Sequence, residues 1–330
     1  MIHYRRDRKW DVDRGEFTSE SAYLSRRRFL ELTGLCGLSA LGLPGCRPSV
    51  ADTPDDDAIF RSVRPLPGSA FVKGPRNAKF QVQRPMTDEL VAARYNNFYE
   101  FGVDKDTCWR EAQKLTTRPW VIDIGGLVAK PQQIGIDDLI RKMPCEERLY
   151  RFRCVERWAM VVPWSGFPFQ ALMNLVEPLS SAKFVRFVTF MRPQEAVGQA
   201  PGSPWKWPYY EGITIQEAAN ELAFAATGLY GHDIPKQHGA PLRMVLPWKY
   251  GYKGAKSVVK IEFVETQPKT FWNDYAANEY GFYSNVNPEK PHPRWSQKYE
   301  RMIGTNKTHD TMLYNGYGEF VADLYTGKEH

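Results

Sequence analysis

A chain of 330 residues with 42% hydrophobic, 14% aromatic and 25% charged residues has a globular composition, and its length permits one large domain or two modest ones. The formal charge of +6 is mild and the basic residues are interleaved with Asp and Glu, which argues against nucleic acid as the partner. Five cysteines, Cys36, Cys46, Cys108, Cys145 and Cys154, make no C-x-x-C pair and no zinc spacing, which argues against a disulfide framework and a zinc site.

The first element is a leader. Ser25-Arg26-Arg27-Arg28-Phe29-Leu30 precedes an uncharged run over residues 32–45. A basic front followed by a short, weakly apolar run describes an export signal and is too short to cross a membrane as a helix. The arginine pair followed by Phe-Leu resembles the twin-arginine motif of proteins exported already folded, with Glu31 where that motif usually has Lys. Leu43-Pro44-Gly45-Cys46 resembles a lipobox, whose cysteine would carry lipid and begin the mature chain. Residues 1–46 therefore read as a twin-arginine signal peptide. Residues 47–75, rich in Pro, Asp and Ser, read as an extended linker, and 76–330 as one catalytic domain without a transmembrane helix of its own.

Residues 87–94 have a helical pattern. Asn96-Asn97-Phe98-Tyr99-Glu100-Phe101-Gly102 reads as a loop. Its amides, phenol and carboxylate suit a polar heterocycle, and they equally suit an ordinary capped loop. Residues 120–128 read as a strand, a Gly125-Gly126 turn and a second strand, and residues 134–142 as a short helix with Asp137 and Asp138 near its start. The stretch over residues 150–158 begins as a strand. Tyr150, Phe152 and Cys154 share the apolar face, and Arg151 and Arg153 share the other. A thiol at the end of a strand can face a cleft while its backbone stays fixed, which suits a metal thiolate. A buried free cysteine acting as a small hydrophobe is the alternative. Pro163-Trp164-Ser165-Gly166-Phe167-Pro168 reads as a turn into a helix over residues 169–176.

Alternation returns over residues 183–190, with Thr189 near the end, and Thr214 opens a helix expected to reach Ala225. In the stretch from Gln237 to Ser257, His238, Arg243, Lys249, Lys253 and Lys256 alternate with glycines that let backbone N–H groups approach closely. That pattern suits a phosphate. A solvated basic hairpin and an aromatic–basic surface for single-stranded nucleic acid are the alternatives. Residues 258–263 read as a half-buried strand, and residues 270–330 as a long packed loop that walls a cleft. Short strands, many turns and few helices predict an α+β fold with mixed β-sheets. No G-x-G-x-x-G or P-loop motif is present.

Taken together, these motifs resemble the periplasmic protein-methionine-sulfoxide reductase catalytic subunits, a family on the sulfite oxidase-type molybdopterin-binding fold. The resemblance runs from about Ser25 through Tyr325 and includes Cys154-Val155-Glu156, Trp248-Lys249-Tyr250-Gly251 and Asn285-Val286-Asn287-Pro288. It implies one molybdenum held by a single molybdopterin and one protein thiolate, and Cys154 matches that ligand. Thiolate is a soft donor that suits such a metal. Asn96, Tyr99, Glu100 and Thr189 match positions that hold the pterin. His238, Arg243 and Gly254-Ala255-Lys256 match positions around its phosphate end. The sequence departs at His238, where these reductases have Asn and sulfite oxidases often have His; both side chains donate hydrogen bonds.

The resemblance further implies removal of oxygen from methionine sulfoxide in oxidised periplasmic proteins, with electrons from a haem-bearing membrane subunit that oxidises quinol. Glu156 reads either as a member of a proton path or as a salt-bridge partner of Arg157 or Arg153. Two rivals follow. One is another reaction on the same scaffold, with small S- or N-oxides or sulfite. The other is a cofactor-free secreted binding domain. No cytochrome-type haem domain is recognisable in the sequence.

Overall fold

Val185, Phe187 and Thr189 point into the core while Phe184, Arg186 and Val188 lie half-buried, as period-two alternation requires. The computed structural model describes residues 56–64 and 69–325, so the leader and Cys46 lie outside the described residues. Among them the strands are β1 (Val121–Gly126), β2 (Gln132–Gly135), β3 (Glu146–Arg153), β4 (Trp158–Pro168), β5 (Phe184–Thr189) and β6 (Tyr210–Thr214). They continue with β7 (Phe224–Leu229), β8 (His232–Asp233), β9 (Arg243–Val245), β10 (Val258–Val264), β11 (Tyr299–Met302) and β12 (Thr308–Asp310).

One sheet has the order β2-β1-β10-β5-β6. The other has the order β12-β11-β4-β7-β8, with β3 on β4 and β9 on β7. The β1–β10 and β4–β11 pairs are parallel and the rest antiparallel, so the sheets are mixed as expected. Short helices pack on them. In Phe169–Val176, buried Phe169, Leu172, Met173 and Val176 recur at the i, i+3, i+4, i+7 spacing of one helix face. In Ile215–Ala219, Thr214 and Glu217 form a reciprocal capping box. One continuous core joins Ile122 and Phe263 of the first sheet to Tyr150, Trp164 and Phe224 of the second.

Several expectations fail for identifiable reasons. Residues 163–168 are the second half of β4, not a turn. Val161 donates its N–H to Thr87 Oγ1 at 3.0 Å, away from β3, and Pro163, two residues on, faces that same side between β11 and β7. Its missing N–H therefore costs the ladder nothing, and its carbonyl accepts Tyr230 N–H at 3.1 Å. Gly166 marks a bulge where a Cβ would lie 2.1 Å from the Ala225 carbonyl oxygen. Gly125 and Gly126 remain in β1, opposite Glu262 and Phe263, and the next strand begins at Gln132. The helix after Thr214 ends at Ala219, because residues 224–229 form β7, which is buried on both faces and so shows no alternation. Within the supposed linker, Asp56–Ser62 is helical, and Ile59 and Val63 pack on Ala93 and Trp109. The C-terminal stretch contains a helix at Phe271–Ala276 as well as β11 and β12.

Arg153, on the face opposite Tyr150 and Phe152, is also fully buried, being 0% exposed. Its guanidinium donates to Glu300 Oε2 at 3.1 Å, Gln297 Oε1 at 2.8 Å and Thr311 Oγ1 at 3.2 Å, and to the Cys154 carbonyl. Glu300 is shared with Arg84. Replacing Glu300 by Leu removes the one anion paired with a fully buried cation. The expected cost is about 3–5 kcal/mol, read as a lower denaturant midpoint at unchanged slope.

Candidate active site

β3 ends at Arg153, and a tight reversal over residues 154–157 returns the chain into β4. Cys154 N–H donates to the Trp158 carbonyl at 2.9 Å and Arg157 N–H to the Cys154 carbonyl at 3.0 Å, with Arg157 at φ 74° closing the turn. The neighbouring carbonyl of Val155 accepts Trp295 Nε1–H at 2.9 Å and Gln297 Nε2–H at 2.8 Å. The backbone of the cysteine turn is thus clamped from both sides, by Arg153 at Cys154 and by Trp295 and Gln297 at Val155.

The sulfur is 6% exposed with its residue and receives two N–H groups, Asn97 Nδ2 at 3.3 Å and Glu156 N at 3.4 Å. Burial, and then the Glu156 carboxylate, push the thiol up to about 12. The Glu156 N–H, Lys105 and Arg153 pull the other way. A metal's positive charge is what makes such a buried thiol a thiolate. Among the described residues no group of three or more His, Cys, Asp or Glu comes together to hold a metal ion. A single sulfur with two donors aimed at it suits a metal whose other ligands arrive on an organic cofactor.

Glu156 pairs with neither Arg153 nor Arg157. Its Oε1 lies 3.1 Å from Lys105 Nζ, and its Oε2 accepts Asn97 Nδ2–H at 2.8 Å and stands 3.8 Å from the Cys154 sulfur. Asn97 and Lys105 stand in contact with Cys154 or Glu156, and the motifs did not single them out. Asn97 stood inside a quoted loop, but Lys105 has no local signal.

The basic stretch divides into two pairs. Lys249 meets Glu217 and Lys253 meets Glu211, so both are neutralised inside the fold. Arg243 and Lys256 have no carboxylate within ion-pair distance among the described residues. Arg243, 4% exposed, donates to the carbonyls of His238 at 3.0 Å and Met244 at 3.3 Å, and its guanidinium lies 4.8 Å from the Trp164 ring centre. Lys256 Nζ donates to the Asn97 carbonyl and lies 4.2 Å from the centre of the Phe98 ring. Burial lowers Arg243 to about 9. Burial and then Arg243 lower Lys256 to about 8, against the attraction of Glu100. Trp164 Nε1, on the ring that Arg243 covers, is buried and has no hydrogen-bond partner among the described residues. A Cβ on Gly254 would lie 2.5 Å from the Met244 carbonyl oxygen and 3.0 Å from Arg243 Nη2, so the chain passes there as bare backbone. A buried arginine and a half-buried lysine, neither with a carboxylate within ion-pair distance, beside the spare Trp164 N–H fit a bound phosphate group.

The other expected residues are less directly joined to Cys154. Glu100 is buried, and burial pushes it up to about 7 against Lys256. Asn96 donates its side-chain amide to the Ala93 carbonyl at 2.7 Å, finishing its own helix. Thr189 Oγ1 donates to the Tyr209 carbonyl at 3.2 Å. Tyr99 lies edge-on to Trp205 and Trp272, each 5.2 Å away. Ala255 is fully buried, and its carbonyl accepts Met244 N–H at 2.9 Å. Cys108 and Cys145 are free thiols, and Cys108 donates its S–H to the Asn96 carbonyl at 3.2 Å.

His238 is lowered to about 3 by burial, then by Arg243, Lys256 and His232. Below its ordinary pKa of 6.5 the unfolded chain binds a proton that the folded chain refuses until about 3. Stability is therefore lost as pH falls through that window, by about 1.4 kcal/mol per pH unit from this residue. In cofactor-free protein, His238→Gln is expected to flatten the fall in denaturant midpoint between about pH 6.5 and pH 4.

The family model for the oxidoreductase molybdopterin binding domain matches residues 110–272. The chain is 45% identical over 325 residues, 97% of this chain and 94% of the relative, to the protein-methionine-sulfoxide reductase catalytic subunit MsrP of Burkholderia mallei (strain ATCC 23344). Among solved structures, the sulfane dehydrogenase SoxCD from Paracoccus pantotrophus matches with a TM-score of 0.41 and 14% identity, over 59% of this chain and 45% of that one.

Proposed function

Because the chain belongs to the family of protein-methionine-sulfoxide reductase catalytic subunits, oxidoreductases with a molybdopterin-binding domain, we propose that it restores methionine from methionine sulfoxide with Cys154 as the one protein ligand to molybdenum. The observation that carries the ligand assignment is the clamped thiol of Cys154, with two N–H donors aimed at its sulfur.

The reaction converts a sulfoxide, two electrons and two protons into a thioether and water. The bound molybdenum–pterin supplies the two-electron chemistry of breaking the S–O bond. The chain's own residues do the rest. Asn97 and the Glu156 N–H hold the sulfur in place. Arg243, Lys256 and the Gly254-Ala255 backbone take the phosphate end, with His238 beside them. Glu100, Tyr99, Asn96 and Thr189 flank the pterin. Glu156 Oε2, 3.8 Å from the sulfur, is placed as a member of the path by which protons reach the departing oxygen.

The electrons come from outside the chain, which acts as the catalytic member of a two-part system. The partner is a haem-bearing membrane subunit that oxidises quinol, and the place is the periplasm. The twin-arginine motif at Arg26-Arg27 supports export, and Cys46 is the candidate lipid attachment point. Among the described residues no helix is long and apolar enough to cross a membrane.

The test is molybdenum and pterin content of the exported protein, with turnover on oxidised protein, free methionine sulfoxide and sulfite. Stoichiometric molybdenum with turnover on oxidised protein is the expected result. Turnover on sulfite alone, or full activity without molybdenum, overturns the reading.

A further inference from the structure

Lys105 stands fifty-one positions before Glu156 and on a different element, in the turn that precedes the helix Cys108–Ala112. Its side chain is 5% exposed, so it is not a solvated surface charge. Two contacts leave this residue in opposite directions. Its ammonium lies 3.1 Å from Glu156 Oε1, and its carbonyl accepts Asn96 N–H at 3.0 Å. Lys105 therefore ties the cysteine turn to the Asn96-Asn97 loop. Asn97 completes the link, with one amide nitrogen shared between Glu156 Oε2 and the Cys154 sulfur. Hydrogen-bonding capacity is left over at this point. Asn97 Oδ1, Lys105 Nζ and Glu156 Oε1 are buried, and none makes an aligned hydrogen bond.

A carboxylate 3.8 Å from a metal-bound thiolate would be repelled by it. The cation on the far oxygen opposes that repulsion and keeps Oε2 facing the sulfur. We propose that Lys105 is a positioning residue for sulfoxide reduction, fixing the Glu156 carboxylate and the Asn97 amide against Cys154. This inference rests on the reading of Cys154 as the metal ligand. A positioning role through Glu156 is distinct from a general stabilising one, since it vanishes when Glu156 is no longer a carboxylate.

The experiment is a double-mutant cycle on the loaded enzyme, comparing Lys105→Met, Lys105→Arg, Glu156→Gln and Lys105→Met/Glu156→Gln. The readouts are kcat, KM and the Mo(V) electron paramagnetic resonance spectrum. Lys105→Met is expected to lower kcat by about tenfold to a hundredfold with little change in KM and to shift the Mo(V) g-values. Lys105→Arg should recover most of both. In the Glu156→Gln background, Lys105→Met should change kcat by less than about twofold. An equal loss in both backgrounds, or a Lys105→Met enzyme with the parental kcat and spectrum, overturns the proposal. If Lys105→Met does not accumulate, the double variant, which has no lone buried charge, is compared with Glu156→Gln. Matched kcat and spectra support the role, and a further loss overturns it. A parent enzyme that is active without molybdenum, or a fully metallated Cys154→Ser enzyme with the parental kcat, marks failure of the ligand reading itself, a result distinct from all of these.

Discussion

Cys154→Ser is expected to abolish methionine-sulfoxide reduction while leaving the fold intact. The serine hydroxyl fits the same turn and accepts the same two N–H groups, from Asn97 and from Glu156. Its backbone keeps the clamp supplied by Arg153, and Val155 keeps those of Trp295 and Gln297. What changes is the donor. A hydroxyl is harder than a thiolate and far more reluctant to lose its proton, so it makes a poor ligand to a metal that prefers sulfur. A loss of about a thousandfold or more in kcat/KM corresponds to about 4 kcal/mol of transition-state stabilisation. Pterin content separates two causes. Arg243 and Lys256 are untouched by the substitution, so the organic part of the cofactor is expected to remain bound. A fully metallated Cys154→Ser enzyme that turned over normally would falsify the ligand assignment.

The sequence showed some parts of this site and hid others, and the division is physical. The place of Cys154 at the end of a strand was legible because a strand's two-residue period assigns its face, and β3 ends at Arg153, whereas its reading as a metal ligand came from the family resemblance. The helix Phe169–Val176 was legible because its buried residues recur at helical spacing. β4 and β7 were hidden because burial on both faces removes alternation, and because Pro163 and Gly166 mimic a turn. The burial of Arg153 was out of reach because its partner Glu300 lies 147 residues away. The fate of each lysine in the basic stretch was equally out of reach. Only the fold decides that Lys249 and Lys253 meet carboxylates and Lys256 does not. Local patterns report faces and ends, whereas charge pairing is set by topology.

That sorting of cations carries the last prediction. Arg243→Met is expected to empty the site of molybdopterin without unfolding the chain. Methionine is unbranched, apolar and adaptable, so it can fill most of the space the guanidinium stem occupies against Trp164. Among the described residues the cation it removes hydrogen-bonds only to carbonyls, and burial has already lowered it to about 9. In cofactor-free protein its loss relieves the crowding that also lowers Lys256 and His238. The cofactor-free variant should therefore be as stable as the parent or more so. Binding moves in the opposite sense, because a buried phosphate loses its forked donor. Truncating one partner of a buried charge pair costs about 2–5 kcal/mol, which is about thirtyfold or more in affinity. Metal and pterin per chain, measured beside the denaturant midpoints of both cofactor-free proteins, read the two effects separately. A variant that keeps its full molybdenum content would show that the phosphate does not lie against Arg243. A variant that loses both stability and cofactor would make this arginine a prop of the fold, with no direct part in holding the anion.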